Sequence, residues 1–430
     1  MQLGKIKKFD ILLWFTVLYI IVFTKITILG FGLLDIVILI LWGITIYINN
    51  FNLKFCKSYF YLAYIAITLF GYFFHGNTIT GFFKALELIL VLLMIPRSVD
   101  TEDKYWRLID AILFVGGILA VLGIIETITG INVFEIIAGV ETSSASNIYR
   151  FGLRRSQGFC NNFINYGAFL GMMSCLALYR ITNQNKTKKS KTIIIYVLLI
   201  LNMLSTLSRG VILFFGIIQL ILWLKAGVLK RIDIVIKVFV TAVFIGIILQ
   251  LLGVPVIDAI NNIYYMIAVI FDSSYEASLL DSFGSNAGAI GNRLDLFGWI
   301  YDAVKDNLFF GMGYSSRFSV LLNGGFYKTS IENTYLAQLY YTGILGVIGL
   351  LFFLFGNIKK AISAKRKSAS EGKLSYESMF FWLSIAYMLA MFTFKVQSDF
   401  RLYYILAGLL YSRNIFLDKD KRLQNVHIPS

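Results

Sequence analysis

Four short stretches of this chain gather arginine, glycine and small polar residues in ways that suit binding an anion. The first is Arg154-Arg155-Ser156-Gln157-Gly158, followed by Asn161, Asn162 and Asn165. Arginine offers a planar fork of donors that matches phosphate oxygens and stays charged. Gly158 lets backbone N–H groups approach a ligand, and a helix opening near Asn161 adds the positive end of its dipole. A basic loop of this kind equally suits anionic lipid headgroups. The second stretch, Thr206-Leu207-Ser208-Arg209-Gly210, lies between two apolar runs with almost no loop. An arginine so close to hydrocarbon is expensive unless it snorkels or finds a partner. The third is Arg293, followed by Gly311-Met312-Gly313-Tyr314 and Arg317. Its glycines permit close backbone approach, although a Gly-x-Gly pair is a weak signal alone. The fourth is Glu332-Asn333-Thr334-Tyr335-Leu336. An ordinary glutamate titrates near pH ~4.3, is ionised at neutral pH and suits a general base. It equally suits the acid that a helix N-terminus favours.

The elements that must position these residues are apolar helices. The 430 residues are 58% hydrophobic and only 15% charged, against about 25% charged in a soluble domain. Such a surface cannot be hidden in a water-soluble core, and the apolar runs are too long for barrel strands. The expected fold is therefore an all-α polytopic membrane protein of about 12 transmembrane helices, each of roughly 20 residues. The expected spans are 9–28, 29–48, 59–76, 79–96, 107–127, 161–180, 192–207, 209–226, 232–253, 332–356, 375–396 and 400–416. Residues 1–430 are expected to form one integral membrane domain. A large extracytoplasmic loop, 254–331, opens with Pro255 and contains a helical stretch from Asn292 to Leu308. A shorter outer segment runs from 128 to 160.

The loops between these runs alternate in charge. Lys5, Lys7 and Lys8 precede the first run, which is expected to be a retained helix rather than a cleaved signal. Lys54 and Lys57, then Arg97, Lys104 and Arg107, fill later loops on the same side. Arg180, Lys186, Lys188, Lys189 and Lys191 continue the series, as do Lys225, Lys230 and Arg231. Lys359, Lys360, Lys365, Arg366, Lys367 and Lys373 complete it, with Lys419, Lys421 and Arg422 in the tail. By the positive-inside rule this side is cytoplasmic and holds both termini. The isolated arginines of the four stretches then face outward. The net charge of +15 follows from topology, and nucleic acid is not an expected partner.

Three cysteines (Cys56, Cys160, Cys175) and two histidines (His75, His427) are too few and too scattered for a metal site or a disulfide framework. No nucleotide-binding loop appears, so no metal and no cofactor are expected. Lys84 and Glu87 share a helix face and suit pairing with each other. Asp35, and Lys237 near Asp233, are further charges inside apolar runs.

Taken in order, the four motifs resemble those of the bacterial O-antigen polymerase/ligase superfamily. The resemblance rests on Arg155-Ser156-Gln157-Gly158 before a span and Ser208-Arg209-Gly210 after one. It continues with Arg293 through Gly311-x-Gly313 in the large loop, and with Glu332-Asn333-x-Tyr335-Leu336 running into Gly343-Ile344-Leu345-Gly346. It covers residues 150 to 355. It implies glycan transfer on the outer face of the bacterial inner membrane, from a saccharide carried on undecaprenyl diphosphate. Arg155, Arg209 and Arg293 would hold the diphosphate and Glu332 would activate the acceptor hydroxyl. Arg154, Gly158, Ser208, Gly313, Arg317, Asn333 and Tyr335 would support them.

Where Glu332 stands, the ligase branch commonly has His, so the resemblance points to a Wzy-type polymerase of capsule, exopolysaccharide or O-antigen. Its expected partners are the lipid-linked donor and acceptor, the bilayer and a chain-length regulator. Its expected chemistry is an inverting displacement that uses neither nucleotide nor metal, the departing diphosphate being stabilised by the arginines. The alternatives are a ligase-type transferase and a flippase for lipid-linked oligosaccharides. A transporter tends to show two related halves, and no internal repeat is visible.

Overall fold

A computed structural model describes residues 8–22, 26–28, 31–51, 58–76, 78–138, 148–150, 153–160, 162–184, 189–227, 232–251, 291–321, 327–365, 374–396 and 399–426. Outside them lie Lys5, Lys7, Lys54, Cys56, Lys57, Asn161, Lys186, Lys188, Lys230, Arg231, Pro255, Arg366, Lys367, Lys373 and His427, and most of the expected outer loop. The side chains of Asp233, Arg293, Lys365, Lys419, Lys421 and Arg422 lie outside them too.

The chain is mostly α-helical. Its helices are α1 (Lys8–Ile21), α2 (Leu33–Ile48), α3 (Tyr59–Phe74), α4 (Thr78–Ile89), α5 (Ile95–Ser98), α6 (Glu102–Thr129), α7 (Val133–Ala138) and α8 (Phe163–Asn183). They continue with α9 (Lys189–Ser205), α10 (Arg209–Lys225), α11 (Ile232–Leu251), α12 (Gly291–Val304), α13 (Thr334–Lys365), α14 (Tyr376–Ala390) and α15 (Asp399–Val426). Among the described residues, strand is confined to three two-stranded antiparallel hairpins: Thr27–Ile28 with Phe31–Gly32, Tyr149–Arg150 with Leu153–Arg154, and Val320–Leu321 with Tyr327–Lys328.

Each expected apolar run overlaps a helix or, for 79–96, α4 and α5 joined by a π-helical turn, Leu90–Met94, but Thr27–Ile28 and Phe31–Gly32, expected within the runs 9–28 and 29–48, are strand. Among the described residues, three helices are long and apolar enough to cross a membrane: Ile79–Ser98, Glu102–Thr129 and Thr334–Ala364. The helical stretch expected at 292–308 is α12 followed by a 3-10 turn, Lys305–Asn307.

The chain divides into two compact units, one of Met1–Val115 with Ala303–Ser430, the other of Gly116–Asp302. In the first, α3 lies against α13 through small residues. A Cβ on Gly349 would meet Ile67 at 3.0 Å, and one on Gly356 would meet Phe60 at 2.6 Å. Such positions let helix backbones approach where water supplies no driving force. The core is aromatic: Tyr64 stacks on Phe353 at 4.7 Å and Tyr387 on Tyr403 at 5.1 Å. Several polar groups buried there are paired. Lys84 donates to Glu87 at 2.5 Å, as the sequence spacing predicts, and the Tyr19 hydroxyl donates to the same carboxylate at 2.6 Å. Arg401 donates to the carbonyls of Tyr19 and Val22, closing the end of α1.

In the second unit, α8 carries Gly167 and Gly171, the Gly-x-x-x-Gly spacing of close helix packing. Added Cβ atoms there would meet Val211 at 3.2 Å and the Phe215 ring at 2.5 Å, so α10 is seated against this face. Gln219 of α10 donates to Ser174 of α8 at 2.6 Å and accepts from Tyr196 of α9 at 3.2 Å. One side chain thus ties three helices together.

Candidate functional site

In the second unit, the Arg154–Gly158 loop leaves the Tyr149–Arg150/Leu153–Arg154 hairpin and leads into α8. Asn162 caps that helix, its side chain accepting from Ile164 N at 2.8 Å. Two arginines start the loop and diverge. Arg154 donates to Glu135 Oε2 at 2.5 Å and to the Gly130 carbonyl at 2.7 Å, and its Nε lies 3.4 Å from Glu126 Oε1. Burial works against its charge, but the two carboxylates outweigh burial and raise its pKa above the ordinary arginine value. Arg154 is therefore a permanent cation held by the protein's own carboxyl groups.

Arg155 is buried and spends its fork on backbone. Its Nε donates to the Thr206 carbonyl at 2.9 Å, and one terminal nitrogen donates to the Leu207 carbonyl at 3.2 Å and to Ser208 Oγ at 3.3 Å. Its guanidinium lies 3.1 Å from the Phe163 ring centroid, a cation–π contact. The carbonyls it takes belong to the turn between α9 and α10, where Leu207 adopts φ +49°. The first and second sequence motifs are thereby joined through one side chain.

The backbone N–H groups of the loop are also occupied. Gly158 N donates to Glu126 Oε2 at 2.9 Å and Gln157 N donates to the same oxygen at 3.2 Å. Asn132 Nδ2 donates to Glu126 Oε1 and to the Gly158 carbonyl, both at 3.0 Å, and Gln157 Nε2 donates to Glu135 at 2.7 Å. The place where Gly158 was expected to admit an anionic ligand holds a carboxyl group of this chain. Gly158 itself takes φ +51°, and a Cβ on it would strike the Tyr166 ring at 2.5 Å. Tyr166 in turn donates to the Leu119 carbonyl at 2.8 Å and accepts from Asn202 at 3.0 Å. Glu126, Asn132 and Glu135 are the residues that sequence reading missed.

Arg209 is the first residue of α10, with Ser208 at its N-cap, and its side chain is exposed. Arg293 opens α12 near its first turn.

In the first unit, the Gly311-Met312-Gly313 segment runs along a break in α13. Met312 N donates to the Tyr340 carbonyl at 2.7 Å and Gly313 N to the Tyr341 carbonyl at 2.9 Å. Ile344 N donates to the Leu308 carbonyl at 2.9 Å. The break is Gly343, at φ +67° and ψ −164°. The third and fourth motifs therefore meet as well: Gly311 serves backbone-to-backbone packing, while Gly313 makes room for the His75 side chain. Next to it, Tyr314 stacks between Tyr72 (4.2 Å) and Tyr341 (5.5 Å). Burial raises the Tyr314 pKa, keeping the phenol neutral. Arg317 is exposed and has no partner among the described residues.

Glu332 sits just before α13, partly exposed, with Lys328 Nζ at 3.7 Å and Ser330 Oγ at 3.5 Å. Asn333 caps the helix, its Oδ1 accepting from Tyr335 N at 2.9 Å and Leu336 N at 3.1 Å. The Tyr335 hydroxyl donates to the Met388 carbonyl at 2.9 Å. Among the described residues, no group of three or more His, Cys, Asp or Glu is placed to hold a metal ion.

A family model described as O-antigen ligase matches residues 194–354. That match supports the O-antigen polymerase/ligase superfamily. Arg209, Arg293, Gly311, Gly313, Glu332 and Gly343 fall within the part that matches the O-antigen ligase model, and the Arg154–Gly158 loop lies before it. No curated protein matches the chain.

Proposed function

We propose that this chain is a glycan polymerase of the O-antigen polymerase/ligase type. It would move a saccharide from undecaprenyl diphosphate to a hydroxyl of a lipid-linked repeat unit, on the outer face of the bacterial cytoplasmic membrane. The helices would form about 12 crossings, with both termini cytoplasmic. The observation that carries this reading is Arg209: within the residues matched by the family model, a fixed cation stands exposed at the start of a helix. Charge that develops on a departing diphosphate is met there by a guanidinium fork and by the dipole of α10. Arg293 would supply a second fork. Arg155 would act on the diphosphate through the turn that it holds.

Glu332, partly exposed and ionisable, would take the proton of the acceptor hydroxyl. Attack opposite the diphosphate would invert the anomeric centre. The donor carries its own leaving group, so the reading calls on neither nucleotide nor metal. A chain-length regulator would act as partner.

The description of the family model favours a second reading, a ligase that makes one transfer to a different acceptor. Purified protein given only the lipid-linked repeat unit separates the two: a polymerase builds a ladder, and a ligase leaves the repeat unit unchanged until its own acceptor is added.

A further inference from the structure

Glu126 is almost wholly buried, and its hydrogen-bond and ion-pair partners among the described residues are donors: Gln157 N, Gly158 N, Asn132 Nδ2 and the Arg154 guanidinium. Only an acceptor satisfies such a cage. A carboxylate buried this deeply is costly unless paired and hydrogen-bonded, and here it is both. What it holds is one side of the Arg154–Gly158 loop. The other side is held by the hairpin, where Arg155 N donates to the Ile148 carbonyl at 2.8 Å. Arg155 is fixed between these two anchorages, and its side chain then fixes Thr206, Leu207 and Ser208, the residues that precede Arg209.

We propose that Glu126 is a positioning residue for the donor diphosphate, setting the place of Arg209 through the loop and Arg155. This rests on the reading of Arg209 given above. Glu126 touches no substrate. Its carboxylate fills a nest of backbone N–H groups of the kind that binds anions, and so turns the loop from a ligand cradle into a support. The diphosphate is left to Arg209, one step further along.

The relay predicts that the two residues are coupled in donor binding. Affinity for undecaprenyl diphosphate is measured on the full chain in nanodiscs, for the parent, Glu126→Gln, Arg209→Ala and the double variant, with unfolding midpoints taken alongside. In Glu126→Gln an amide N–H₂ faces donors on at least one side of the cage. Each single variant is expected to weaken binding about tenfold or more, the scale of one charge-assisted hydrogen bond. The double variant is expected to bind no more weakly than Arg209→Ala. Parent-like affinity in Glu126→Gln, or losses that multiply in the double variant, would overturn the relay. If Glu126→Gln does not insert, Arg155→Lys carries the same cycle, since Lys keeps the charge but cannot hold two carbonyls. A parent protein with no affinity for undecaprenyl diphosphate would instead bring down the donor reading, and the relay with it.

Discussion

Gly311 and Gly343 meet backbone to backbone: a Cβ on Gly311 would lie 2.6 Å from Gly343 N, and one on Gly343 would collide with the Phe309 carbonyl. Both residues have positive φ, +72° and +67°. The segment that closes the large loop is thus fastened into a break of the long helix α13 that Glu332 and Asn333 introduce.

Gly343→Ala is expected to destabilise the protein severely. The backbone conformation alone costs about 1–3 kcal/mol for a residue with a side chain, and the collision adds to it because the neighbour is backbone. A lowered unfolding midpoint in detergent, with loss of folded yield, checks this. Gly216, where an added Cβ meets nothing within 4 Å, is the control, and its alanine variant should keep the parent midpoint.

Arg155→Ala takes its donor from the Leu207 carbonyl and leaves the Thr206 carbonyl only Ser208 Oγ, at 3.3 Å. Each buried carbonyl so exposed to loss costs about 1–3 kcal/mol, so stability should fall as well as transfer. Arg155→Lys should restore little of either, because one ammonium cannot reproduce the fork. Measured together, unfolding and transfer separate this residue from a plain surface arginine, which would leave unfolding unchanged.

Arg209→Ala should behave in the opposite way. The side chain is exposed, so stability should move by no more than about 0.5 kcal/mol, while transfer from the lipid diphosphate is lost. Arg209→Lys should transfer poorly, a charge without a fork.

Glu332 is partly exposed, its side chain 40% accessible and 3.7 Å from Lys328. Such a pair contributes about 0–1 kcal/mol, so Glu332→Gln should fold normally. It should lose transfer, and Glu332→His should retain more of it, since imidazole still accepts a proton. Full transfer by Glu332→Ala would reassign the base.

Much of the architecture is legible in the sequence because apolar length and flanking charge are local properties. Each expected run contains a helix, although Thr27–Ile28 and Phe31–Gly32 are strand, and the Lys84–Glu87 pair follows from their spacing. The motif residues are legible as types: Asn333 caps a helix and Arg209 opens one. Their partners are not legible. Glu126 reads as an ordinary residue in the last turn of α6, and its bonds reach Gln157 and Gly158 across about 30 residues with no periodic trace. Arg155 has the chemistry of a phosphate ligand, but its partners are carbonyls freed by a turn at Leu207 whose positive φ no glycine announces. The break at Gly343 is hidden because the apolar pattern continues on both sides of it.

The central claim is that Arg209 draws on the diphosphate of a lipid-linked donor to drive polymerisation. The most direct measurement gives the purified protein in lipid an undecaprenyl-diphosphate repeat unit and no nucleotide, with the products run on a gel beside those of Arg209→Ala. The account predicts a ladder of polymer from the parent protein and none from the variant. Repeat units that stay unchanged but cross the bilayer would contradict it and make the protein a flippase.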